Sequence, residues 1–185
     1  MTTMTNDKTA LLDWVEVNAQ ENVRFHLHNA NVLAKEAATT LTLTLTGLGA
    51  ALAHGVHGLA GGALTAAHGA SLALAAYLTL LAVATVFKCM KIAPIPAPTN
   101  EPGNLYQPRF PLERLREAEL KNLQERIEEA VARNDAVTGW LNRIRLAATL
   151  SPAIWVSAFF LWPRPDVQAT AGVLSALPTW LFSLA

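Results

Sequence analysis

Residues 37–87 read AATTLTLTLTGLGAALAHGVHGLAGGALTAAHGASLALAAYLTLLAVATVF, with no Asp, Glu, Lys or Arg anywhere in the run. A bilayer span takes roughly 20 apolar residues, so the stretch holds two spans with about ten residues left for a turn. Gly55, Gly58, Gly61, Gly62 and Gly69 supply that turn. The repeated Leu-Thr of Thr40 to Thr46 has the period of a strand. A lone strand in lipid would leave its backbone unbonded, whereas a helix satisfies itself, so the expectation is a transmembrane helical hairpin.

On a helix Leu41, Leu45, Leu48 and Leu52 fall together, and Thr39, Thr46, Gly47, Ala50, Ala53, His54 and His57 gather on the opposite side. Small residues let helices approach closely, and threonine hydroxyls can bond to their own preceding carbonyls or to a neighbour. This face is expected either to pack helices or, when several copies assemble, to line a watery path. His54, His57 and, across the turn, His68 lack a neighbouring carboxylate, and no metal site is expected from them.

Outward from the hairpin, residues 1–36 hold no proline or glycine and mix both charge signs, which predicts a cytoplasmic amphipathic helix. Asn18, Asn22, Phe25 and Asn29 are spaced by four, three and four and share one of its faces, as a solvated surface, a polar seam or part of a ligand pocket. No cleavable signal peptide is expected, because Met1 to Thr9 has no apolar run. Residues 88–110 contain Pro94, Pro96, Pro98, Pro102 and Pro108 and read as a linker. From 111 to 145 a helix is predicted with a seam spaced by threes and fours: Leu120, Leu123, Ile127, Ala130, Asn134, Val137, Leu141 and Ile144. The residues flanking it carry no complementary acids for a self-paired parallel dimer. Leu120, Leu123, Ile127, Asn134 and Leu141 are therefore expected either to join copies into a larger bundle or to pack on the amino-terminal helix. Residues 146–185 are expected to add one or two spans, entered near Pro152 on a continuation of the central helix and including a weaker one from 167. The fold expected is an all-α membrane protein with cytoplasmic helices, four spans being favoured.

Of the 14 Lys and Arg, three precede the hairpin, ten lie between Lys88 and Arg145, and Arg164 stands alone. The positive-inside bias then puts the amino terminus and the central helix in the cytoplasm. A net charge of zero argues against nucleic-acid binding, and one cysteine excludes an internal disulfide. There is no phosphate-cradling glycine loop, nucleophile elbow or zinc-binding helix, so neither catalysis nor a cofactor is expected.

Three clusters carry a resemblance: Ala34-Lys35-Glu36-Ala37 at the membrane entry, Asn104-Leu105-Tyr106 after the prolines, and Leu141-Asn142-Arg143-Ile144-Arg145-Leu146 at the next span. With this layout the chain resembles the small multi-span membrane effectors of bacterial anti-phage systems, especially the Pycsar transmembrane effectors. The resemblance implies an inner-membrane protein that oligomerises and impairs the membrane in abortive infection. Its trigger would be a cyclic pyrimidine nucleotide made by a partner cyclase. Arg109, Arg143 and Arg145 would then meet phosphate, and Tyr106 or Trp140 would stack on a base. Two other readings stay open: a membrane toxin of another defence system, such as a retron, restrained by a protein or nucleic-acid partner, and a holin-like or structural subunit.

Overall fold

The computed structural model describes residues 2–62, 64–91 and 100–162, with side chains from residue 8 onward. Helices account for nearly all of them and no strand occurs among them: α1 (Thr2–Ala60), α2 (Ala66–Cys89), α3 (Pro102–Leu105), α4 (Leu112–Thr149) and α5 (Ser151–Leu161). The helical class is as the sequence predicts.

Helix α1 runs for 59 residues because proline is absent throughout and glycine does not occur before Gly47. It stops at Gly61-Gly62, where Gly62 takes φ +70 and its N–H returns to the Leu59 carbonyl at 3.2 Å. A residue with a Cβ would be strained in that conformation. The central helix does not run on into α5. It ends at Thr149, and Pro152, in the first turn of α5, has no N–H to offer the preceding turn.

The chain forms two units, and α1 supplies residues to both. In the first, Met1–Thr44 with Leu81–Ala148, α1 and α4 lie parallel. Lys8 bonds Glu113 and Glu117, the Asn134 side chain reaches the His26 carbonyl, and Arg145 pairs with Glu36, so the order along both helices is the same. Their seam buries Val23 against Leu123 and Ile127, with Ala19, Leu27, Leu120 and Val131 packed around them. A second cluster joins Ala37, Leu141 and Ile144 to Cys89 of α2, flanked by Ala84, Val137 and Trp140. Leu120, Leu123, Ile127, Asn134 and Leu141, expected either to join copies or to pack on the amino-terminal helix, all lie on the face of α4 that α1 or α2 covers within the chain.

Ion pairs flank this seam. Arg116, with its side chain 19% exposed, donates from Nε to Glu16 at 2.6 Å and from a terminal nitrogen to Asp13. Hydrogen bonds to Glu16 and Asp13 raise its pKa further above the usual guanidinium range, which holds its charge fixed. Asn100 donates to Glu119 and accepts from Arg126, fastening the end of the linker to α4.

The second unit comprises Leu45–Leu80 and the described residues from Thr149 on. Here α1 and α2 run antiparallel as a hairpin with glycines at the contacts. A Cβ on Gly47 would lie 3.4 Å from Leu78 Cδ1, one on Gly55 would lie 2.6 Å from Leu72 Cδ2, and one on Gly58 would enter the His68 ring. These helices meet at backbone distance, as small-residue contacts allow.

The expectation of four spans finds no support. By length and composition one described helix, α2, could cross a membrane, and a second could if α4 and α5 count as one broken span. The first arm of the expected hairpin is the later part of α1, where Thr, Gly and His dilute the leucines. The segment from 167 and most of the proline linker lie outside the described residues.

Candidate functional site

Two groups of polar side chains stand out, one in each unit. In the hairpin unit they gather at the turn end. Ser71, buried on α2, donates its hydroxyl hydrogen to the Ala67 carbonyl at 3.0 Å. Its oxygen is then left to accept, and it takes the Trp155 Nε1–H of α5 at 3.2 Å and the His54 Nδ1–H of α1 at 2.9 Å. With that donor set, the His54 proton sits on Nδ1. His68 has the opposite tautomer, because its Nδ1 accepts from the Thr65 backbone N–H at 3.3 Å and from the Thr65 hydroxyl at 2.9 Å. The two imidazoles stand 5.0 Å apart between centroids. Trp162 covers Gly69 so closely that a Cβ there would enter the indole.

The chemistry of this cluster is that of a hydrogen-bonded clasp. Ser71 and His54 form a hydroxyl–imidazole pair, but among the described residues no carboxylate orients the ring, and the serine oxygen is already accepting twice. Among the described residues no group of three His, Cys, Asp or Glu could hold a metal ion. His57, placed with His54 by its spacing, is exposed and is not among the side chains joined at this cluster in the described residues. Sequence reasoning missed Ser71 and Trp155. The one available signal was a serine one turn beyond His68 in an otherwise apolar arm.

The small face of α1 falls partly where the sequence places it. The buried row runs Ala37, Thr40, Thr44 and then, in the hairpin unit, Ala51, Gly55 and Gly58, with Gly47 at its edge. Of the residues named from the spacing, Gly47 and His54 make contacts to α2, whereas Thr39, Thr46, Ala50 and His57 are exposed. The hydroxyls of Thr39, Thr40, Thr42 and Thr44 each bond the carbonyl four residues back, at 2.8–3.0 Å.

In the first unit the residues named for a nucleotide do not form one pocket. Tyr106 is 80% exposed just after α3, and Arg109 is exposed beyond it. Trp140 is flanked by two cations of its own chain, Lys88 Nζ at 5.0 Å and the Arg143 guanidinium carbon at 5.3 Å from the ring centroid. Arg145 is engaged by Glu36 and donates to the Thr40 hydroxyl at 3.2 Å. None of them lines the cleft of about 250 Å³ between α1 and α4, whose walls include His26, Asn29, Val131, Asn134, Asp135 and Thr138. Asn29 is the member of the amide face that reaches this cleft, while Asn18 donates to the Trp14 carbonyl of its own helix at 2.7 Å.

Comparison with protein families, with curated proteins and with solved structures finds no match to the chain.

Proposed function

We propose that the chain is a membrane-inserted helical effector of a bacterial anti-phage system, which assembles and impairs the inner membrane when a cyclic pyrimidine nucleotide signals infection. The observation that carries the membrane part is the bareness of an apolar helix. Only 33% of the apolar window of α2 is buried, and Leu80 and Phe87 are each 69% exposed. A core helix of a soluble protein is covered on most sides, while a helix in lipid needs no such cover. Leu43 and Val56 on α1 and Phe160 and Leu161 on α5 are likewise exposed. In this proposal the later part of α1 enters the membrane with α2 as a hairpin, and the α1–α4 pair stands in the cytoplasm with its Lys and Arg.

The signal would be met by the Lys88–Trp140–Arg143 group, where two cations offer charge to a phosphate and the indole offers a face. The test is dye release from liposomes carrying the full chain. Release that begins on adding cyclic cytidine or uridine monophosphate, and is lost in Arg143→Glu, supports the proposal. Release without any nucleotide would favour a holin-like subunit. Extraction of the chain from membranes by alkaline carbonate would overturn membrane insertion itself.

A further inference from the structure

Helix α1 carries a second stripe that the described residues leave largely uncovered. Leu11, Asn18, Asn22, Phe25 and Val32, with half-buried Val15 and Asn29 between them, fall at intervals of three and four and hold no charge. The stripe lies to the side of the seam occupied by α4, which uses Ala19, Val23 and Leu27. Leu11 and Phe25 are each 58% exposed, and neighbouring Trp14 and Val17 are 65% and 66% exposed. The water-facing side of a helix is ordinarily its charged side. Here the charges lie off the stripe: Asp13 and Glu16, with Arg116, are on the opposite flank of the buried seam, and the exposed Glu21–Arg24 pair is on the back of the helix. Two adjacent heptad seams on one helix are the pattern of a helix with two helical neighbours, and the α1–α4 pair provides one.

We propose that the second neighbour is the α1 helix of a second copy of this chain, parallel and in register. Three features select that occupant. The three-and-four spacing accepts a helix. Three of the seven positions are asparagine, whose amide both donates and accepts and so pairs with its own counterpart, and Asn18 donates one N–H to the Trp14 carbonyl of its own helix. Copies inserted in one membrane with one topology also point their α1 helices the same way, so a twofold axis along the membrane normal sets each stripe residue beside itself. The cleft lined by Asn29, Val32, Val131 and Thr138 adjoins the stripe and receives a side chain of the incoming helix. The parallel orientation rests on the membrane-inserted reading; the stripe does not.

The test is disulfide cross-linking of the full chain in native membrane vesicles. The unaltered chain, whose one cysteine is the buried Cys89, serves as the control. Asn18→Cys and Phe25→Cys place a thiol on the stripe, while Gln20→Cys and Arg24→Cys place one off it. Under copper-phenanthroline oxidation the stripe variants should give a covalent species of twice the chain mass, and the other two should not. No such species from the stripe positions, or equal yields from all four, would overturn the proposal. An adduct of another mass would replace the second copy by a foreign protein. As a second measurement, Asn18→Glu with Phe25→Glu should abolish the dimer in light scattering while leaving helical circular dichroism unchanged. Carbonate extraction on the same vesicles separates the two premises: a chain that stays in the membrane without cross-linking defeats the docking alone, and a chain that leaves it defeats the insertion.

Discussion

Asn134 is the residue on which the α1–α4 register turns. It is 9% exposed in a row of Leu and Ile, and its Nδ2 donates to the His26 carbonyl at 3.0 Å. Sliding α1 by a turn would strand that amide among aliphatic groups, so it specifies register at some cost in stability. Asn134→Asp removes the donor and leaves an acid against a carbonyl. The expected loss is about 1–3 kcal/mol, read as a lower melting temperature by circular dichroism in detergent. Gly58 makes the opposite kind of demand. Alanine there gains about 1 kcal/mol of helix propensity, but its Cβ would enter the His68 ring, and the ring cannot move without breaking its bonds to Thr65. Overpacking costs typically ~1–3 kcal/mol, so Gly58→Ala is expected to melt lower than the native chain. A higher melting temperature would show that the His68 clasp yields freely.

Among elements, α4 was the most legible in the sequence and the threonine helix the least. Leu123, Ile127, Asn134, Leu141 and Ile144 are buried as their spacing predicts, since a heptad seam among charged neighbours has only one apolar side to hide. What the spacing did not select was the partner, because α1 and a second copy offer the same kind of surface. In residues 40–46 the alternation of Leu and Thr has a period of two on a helix of 3.6, so threonines point to every bearing and polarity cannot mark the packed side. Size marks it instead: the row through Ala37, Thr40, Thr44 and Ala51 is where neighbouring helices come close. Pro152 marks the break before α5, and α4 with α5 still qualifies as one broken span bent by 44°. The Ser71–His54–Trp155 bonds were out of reach, because they join three elements whose order along the chain says nothing of their distance. The α1–α4 pair also carries a pH dependence. Hydrogen bonds to Glu113 and then Glu117 raise the Lys8 pKa above its model-peptide value of 10.5. Its stabilising contribution is therefore complete below that value and is lost as pH rises through the higher folded-state pKa. The melting-temperature difference between the native chain and Lys8→Met should be constant from neutral pH up to 10.5, where both glutamates are ionised, and shrink above it; a difference that grew with alkali would contradict the pairing.

At the scale of the whole molecule, the charge distribution makes a prediction about sidedness. With ten of the 14 Lys and Arg between Lys88 and Arg145, a membrane-impermeant maleimide should label Lys121→Cys in inside-out vesicles and spare it in intact cells. Labelling in intact cells would reverse the topology. The same vesicles settle the number of crossings, since cysteines placed at the turn, beside Gly61, should react from the opposite side if α1 and α2 form the hairpin. The four threonine hydroxyls that bond back to Lys35, Glu36, Ala38 and Thr40 bear on what such a hairpin can tolerate. Each of those carbonyls already receives a backbone N–H, so a hydroxyl can rotate away to water or to a neighbouring helix without stranding the acceptor it leaves. This part of α1 thus carries a reserve of polarity that can be folded inward or turned outward by single-bond rotation. The same surface can be dry against one neighbour and wetted against another with its backbone unchanged.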